Sequence, residues 1–300
     1  PFYSQKERIL EETASLELTL GVSSKVIMKK LVVIADWTSD SLTCQEFKSS
    51  FEGFLKVDKS LNISFVSSTP STIHTGFLVS QIVTTEERYG DPLNTIIFQN
   101  TDPRIYTEEA IVQAKGAEFI IVRLSSNIIV CGPNAGYDFS FIRSKIQKAF
   151  TYPGLDKGSQ FRSRDLFSRV CAHLVDGMED ELELEEMHIN MIPGLVNYYV
   201  IHIDNYGNIK TSITHEDIRE KFQLGDSFSV RINDVVKNVK FVSNLFGGTP
   251  GEIVIYPGSS GNPKNPFMEI SIWRHFTEKN ATTGIHAFNF PKPGMKVKLV

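Results

Sequence analysis

The chain has 300 residues, 41% apolar and 22% charged, with a formal charge of −4. That length suffices for two ordinary domains, each burying its own core. The acidic balance supplies no basic face for a nucleic acid, and no run approaches the roughly 18 apolar residues of a membrane span.

Residues 1–27 lack the basic start, apolar centre and small-residue cleavage site of a signal peptide. Met28-Lys29-Lys30 stands directly before a strand-like run, so 1–27 read as an N-terminal extension with the native start at Met28. "LVVIA" (31–35) is a short continuous apolar run, as expected of a strand covered on both faces. Asp40 or Ser41 then caps a helix with Phe47, Phe51 and Phe54 on one stripe. "NISFVSS" is a second strand. Ser71 starts a helix with Ile73, Phe77 and Ile82 facing inward, and "NTIIFQN" is a third strand. This β-α-β-α-β order predicts right-handed crossovers and a mainly parallel sheet.

"EFIIVRL" and "NIIVCG" flank a short turn and read as a hairpin. "SRDLFSRVCAHLVDG" is helical, with Leu166, Val170, Cys171 and Leu174 on one stripe and Gly177 as its stop. "MEDELELEEM" reads as a solvated connection. Beyond residue 198 come only short strands with Gly, Pro and Asn between them, a pattern that suits a small barrel. The expected fold is an α/β N-terminal domain with a mainly parallel sheet (28–177), an acidic linker (178–197) and a small antiparallel β-barrel domain (198–300).

Cys44, Cys131 and Cys171 are far apart and odd in number, without zinc spacing, and read as reduced thiols in a cytoplasmic setting. No metal site is expected. His173 reads as a packing residue, and His202 and His215 lack a second ligand at strand or helix spacing. Ligands of open α/β sheets sit at the carboxyl ends of strands, where Asp36 and Asp102 follow the first and third strands. The cluster "DNYGN" (204–208), between two β-rich runs, reads first as a hairpin turn whose Asn205, Gly207 and Asn208 tolerate positive φ.

Several motifs in chain order resemble the S-adenosyl-L-methionine (SAM) hydroxide adenosyltransferase family, which includes the fluorinases and chlorinases. They are "IADWTSD", "STPST", "NTDP", "VCGPNAG", "FRSRDLFSRVCAHLVDG", "IDNYGNIKTSI" and "GSSG…MEIS", spread over roughly residues 30–300. The resemblance implies a homotrimer with each site between the α/β domain of one subunit and the barrel of the next. Asp36 would bind the ribose hydroxyls, with Asp40, Ser163 and Arg164 also on the substrate. Tyr206 would stack on adenine, Asp204 and Asn208 would hold the methionine amino-acid end or nearby polar groups, and Ser259 would add a hydrogen bond. SAM is then the substrate, and no separate cofactor is expected.

In the family's reaction a nucleophile displaces neutral methionine from ribose C5′, so the leaving group needs no general acid. The hydrolysing members position water with an Asp, an Arg and a His. Asp102 matches the first. The Arg position falls on Glu109, or on Ala117 or Glu118 if an insertion is allowed, with Arg104 nearby. Arg162 takes the place of the His. An arginine stays cationic and accepts no proton, but holds an anion electrostatically. Ser163 matches the halogenases' halide contact, yet those enzymes lack the Asp and carry a long insertion where this chain has "RLSSN". Trp273 and Ala135 also depart from the family pattern, near the adenine and in the Pro-Asn turn. The expectation is hydrolysis of SAM to adenosine and L-methionine; the alternative is a trimer that binds an adenosyl ligand without efficient turnover.

Overall fold

The structure, a computed structural model, describes residues 28–56, 61–103, 116–154, 159–273 and 282–300. The extension, Arg104, Glu109 and Arg274 lie outside the described residues.

The α/β domain opens with β1 (Lys29–Ala35), whose five apolar residues are buried on both faces. Asp40 caps α1 (Ser41–Phe54), accepting from the Leu42 amide; Phe47 and Phe51 face the core. Phe54, expected on the same stripe, is exposed, and the next residue, Leu55, packs inward where the helix ends. After β2 (Leu61–Ser67), Ser71 caps α2 (Thr72–Tyr89) through the His74 amide. β3 (Thr95–Asn100), β4 (Phe119–Leu124), β5 (Ile129–Pro133) and β6 (Ile146–Thr151) follow.

The sheet order is β2-β1-β3-β5-β4-β6 with a two-residue β7 (Glu185–Glu186) at its edge. β2, β1, β3 and β5 run parallel, while β4 is antiparallel to both β5 and β6. One face packs Phe47, Phe51, Phe98 and Phe119 against α3 (Ser163–Asp176); the other covers Ile34, Ile97 and Val122 with α2 and Phe139. The first turn of α3, Ser163–Phe167, is a wide π-turn, and Gly177 ends the helix in the left-handed region at φ 71°.

Residues 178–197 are more than a solvated connection. Leu182 and Ile192 are buried, and β7 pairs with β6. The apolar residues interleaved with the carboxylates tie this segment to the sheet.

The second domain is a closed barrel in the order β10-β11-β12-β13-β9-β8-β14. Its strands are β8 (Tyr198–Ile203), β9 (Ile209–Thr214), β10 (Ser227–Ile232), β11 (Val235–Phe241), β12 (Ile253–Asn262), β13 (Asn265–Ile272) and β14 (Lys296–Leu299). The barrel is antiparallel except for β11 and β12, which run parallel. Closure removes the free strand edges that short β-segments otherwise present. Two short helices, α4 (His215–Arg219) and α5 (Gly284–Ala287), pack on it, with Ile218 and Ala287 joining its core. Ile73 and Phe77 of α2 pack on Tyr199 and Ile201 of β8, so the two domains share an apolar seam.

Candidate functional site

The parallel strands β1 and β3 end side by side, and their carboxyl ends bring Asp36 and Asp102 into one cleft. Asn100, Arg162 and Ser163 join them, with Trp37, Phe161 and Phe167 as an aromatic wall. The pair Asp102–Arg162 dominates this cleft. The Arg162 Nη2 donates to Asp102 Oδ2 at 2.7 Å, and the Ala117 amide donates to the same oxygen at 3.1 Å. The guanidinium lies 5.4 Å from the Phe167 ring centre. Gly116 makes room for it, since a Cβ there would collide with the guanidinium nitrogens. Neighbouring Ser163 is buried and its hydroxyl accepts a bond from the Asn100 amide nitrogen. The start of α3 is thereby fastened to the end of β3 by two successive side chains.

The absent arginine has a substitute of a different kind. One alternative for its position was Ala117 or Glu118; in the structure the Ala117 main chain, not a side chain, meets Asp102.

Electrostatics in the cleft are set by carboxyl groups. Burial raises Asp36 above the usual carboxyl range, and the nearby Asp102 charge adds to this. Asp138 was not anticipated from sequence. It follows β5 at the same end of the sheet and is fully buried, with no side-chain partner; the backbone at Asp138 and Ala135 reaches its carboxyl. Burial pushes it well above the usual range, and the Asp102 and Asp36 charges raise it further. Two carboxyls raised by burial beside a third acid are a recognised sign of a functional site. The sequence signal was available: an Asp in the segment after a central strand, beside "GPNAGY".

Two expected contacts in this domain lie elsewhere. Asp40 is exposed and spends its oxygens on the α1 cap, accepting from the Leu42 amide at 3.1 Å and the Thr43 hydroxyl at 2.6 Å. Arg164 turns outward, bonding Asp165 at 2.6 Å and Glu46 at 3.0 Å. Neither lines the cleft. In a helix, successive side chains point about 100° apart, so Arg162, Ser163 and Arg164 cannot all face one point.

The barrel residues form a second group. Asp204 organises the β8–β9 turn: Oδ1 accepts from the Tyr206 and Asn208 amides at 2.9 and 3.0 Å, and Oδ2 accepts from Asn208 Nδ2 at 2.8 Å. Asn208 Oδ1 accepts from the Ser271 hydroxyl. Of the three residues expected to tolerate positive φ, Gly207 alone uses it, at 78°. The Tyr206 side chain projects from the tip, 72% exposed. Ser259 lies on the Glu269–Lys210 ion pair, its amide donating to Glu269 at 3.0 Å. None of Asp204, Tyr206, Asn208 or Ser259 lines the cleft of its own chain.

The cleft encloses only about 110 Å³. Sites for whole small molecules run to roughly 300–1,000 Å³, so this is part of a site. A larger cavity of about 520 Å³ adjoins the amino end of β5, among Arg123, Lys148, Glu179 and Leu184. It contains neither Asp36 nor Asp138. The remaining histidine and tryptophan sites are structural: His173 bonds the Arg169 carbonyl at 2.9 Å on the buried side of α3, and Trp273 meets Phe246 edge-on at 6.1 Å.

Residues 198–273 match the model of the SAM hydroxide adenosyltransferase C-terminal domain. Over these residues the barrel is similar to the C-terminal domain of that family. The resemblance read from the motifs is borne out there, and the hairpin at 204–208 and the Ser259 loop both fall inside the matched segment. Solved structures with the same two-domain fold include an uncharacterized conserved protein from Thermotoga maritima. It is 15% identical, with a TM-score of 0.62 over 90% of this chain and 99% of that one. A conserved hypothetical protein from Thermus thermophilus is 16% identical, with a TM-score of 0.59 over 91% of this chain and all of that one. At such identities the likeness establishes the fold alone. No curated protein matches the chain in sequence. Among the described residues no helix is long and apolar enough to cross a membrane.

Proposed function

We propose that the protein hydrolyses SAM to adenosine and L-methionine, at a site completed by the barrel of a neighbouring subunit in a homotrimer. The observation that carries this reading is the meeting of Asp36, Asp102 and Arg162 in one small cleft, on a chain whose barrel is of the adenosyltransferase type. The cleft is too small for an adenosyl group, and Tyr206 stands exposed at the hairpin tip. A neighbour's hairpin placed over the cleft would supply both the missing volume and an aromatic face for adenine.

In this reading Asp36 takes the ribose hydroxyls. Water attacks C5′, the C5′–S bond breaks, and its electron pair goes to sulfur, so methionine departs uncharged. The water's proton passes to the Asp102 carboxylate and on to solvent. Arg162 is no base; it holds the carboxylate and stabilises hydroxide character on the attacking oxygen. The aromatic wall excludes competing water.

A second reading is favoured by the Asp102–Arg162 bond itself: a guanidinium seated 2.7 Å from the carboxylate competes with water for it. The protein would then bind an adenosyl ligand with little turnover. Incubating the protein with SAM in ¹⁸O-water separates the two. Hydrolysis gives adenosine labelled at the 5′ oxygen, abolished in Asp102→Ala. No adenosine above that variant, with calorimetric binding of intact SAM, selects the binding reading. Binding of neither SAM nor adenosine removes both.

A further inference from the structure

Outside the cleft, the two domains are joined by a pair of imidazoles. His74 lies in the first turn of α2 and His202 lies near the end of β8; their Nε2 and Nδ1 atoms are 2.9 Å apart. The ring centres are 5.1 Å apart, and Phe77 lies 5.7 Å from the His202 ring. His74 is buried, and the seam around it contains Ile73, Phe77, Tyr199 and Ile201.

The direction of this bond is fixed from one end. The Thr69 amide donates to His74 Nδ1 at 3.0 Å, and the Thr69 hydroxyl is also 3.0 Å from that nitrogen. A backbone N–H only donates, so Nδ1 of His74 must keep its lone pair and Nε2 must carry the hydrogen. His74 therefore donates to His202, whose Nδ1 must be the bare nitrogen. The chain Thr69 → His74 → His202 works with both rings neutral. A proton added to His202 Nδ1 sets two N–H groups against each other, and His74 cannot reverse without abandoning the Thr69 amide.

We propose that the His74–His202 pair is an acid-labile latch between the α/β domain and the barrel. It is closed when both rings are neutral, and it opens on protonation. The charged groups around it come from the barrel side: Lys210 on β9, Glu269 on β13 and Asp204 in the turn all act on His202. His74 faces His202 itself. Burial holds His74 down to about 4, and burial followed by the Lys210 charge lowers His202, while Asp204 and Glu269 oppose that shift. Both groups thus bind protons more readily when the seam is open. Closure is full above the ordinary histidine value of about 6.5 and is lost as pH falls from there toward 4.

The latch also joins two segments of functional interest. Thr69 adjoins Ser68, whose hydroxyl leads through Thr75 to Thr101, the residue before Asp102. His202 stands two positions before Asp204.

The test is hydrogen–deuterium exchange on the full chain at pH 7 and pH 5, corrected for intrinsic rates, read in peptides spanning residues 69–78 and 198–204. The expected result is a tenfold or greater loss of protection at pH 5 in the native sequence. His202→Phe keeps a ring on Phe77 and leaves only His74 to protonate, so its loss of protection between pH 7 and pH 5 is expected to be clearly smaller than in the native sequence. Unchanged protection in the native sequence, or full pH dependence in His202→Phe, overturns the proposal. Should that variant fail to fold, ¹⁵N spectra of the native histidines decide. A bare Nδ1 on neutral His74 is required, and an Nδ1–H tautomer or a titration at 6.5 or above overturns the latch.

Discussion

Asp138 is a fully buried carboxyl with backbone contacts but no side-chain partner, and the Asp36 and Asp102 charges act on it. Its folded value is raised, so the folded chain keeps a proton that the unfolded chain releases. Stability is therefore lost as pH climbs from about 3.8 through the folded value. Asp138→Leu is expected to gain about 1–3 kcal/mol at pH 7, the usual cost of burying a polar group with incomplete compensation. That gain should shrink toward pH 4, as read by urea unfolding at both pH values. An equal effect at both values would show that Asp138 is ionised alike in the folded and unfolded chain. Residue-level reading of the sequence located Asp36 and Asp102 because strand ends are visible in one dimension. It placed Arg162 beside the reaction but left its partner open, since the Asp102 contact spans 60 positions along the chain.

The hairpin at 204–208 shows what an element demands of its turn. Gly207 has φ 78°, and a Cβ added there would stand 2.5 Å from Thr283 Oγ1 and 2.9 Å from Ile285 Cγ2. Gly177 has a similar φ of 71° with nothing near its missing Cβ. Gly177→Ala is expected to cost about 1 kcal/mol, from backbone strain alone. Gly207→Ala adds the clash and is expected to cost about 2–3 kcal/mol. The difference between their urea midpoints at constant m measures the contact. Equal costs would mean that the short helix α5, whose Ile285 amide donates to Gly207 at 2.9 Å, yields freely. Elements of this kind were largely readable: both caps at Asp40 and Ser71, the stop at Gly177 and the turn at Gly207 follow from local chemistry. Phe54 and the acidic stretch were misjudged because their surroundings come from distant strands. Phe54 is the last residue of α1 and Leu55 takes the inward place, while β6 offers the edge that β7 takes up.

At the scale of the molecule, both domain architectures were legible because continuous apolar strands and short alternating ones differ in composition. The parallel β11–β12 pair and the His74–His202 contact were not, since each depends on how separate segments meet. The proposed trimer is tested by light scattering, which should give the mass of three 33.8 kDa chains. The mass of one chain would remove the neighbour's hairpin from the site. The wide turn opening α3 carries a last consequence. A π-turn holds one residue more than the regular coil around it. Excising a single residue from Ser163–Phe167 would tighten the coil and swing whatever precedes it by roughly 100°, while Val170 and Leu174 stayed seated beneath the sheet. Such a chain could exchange the arginine at this lip for another group in one genetic step, without rebuilding a domain.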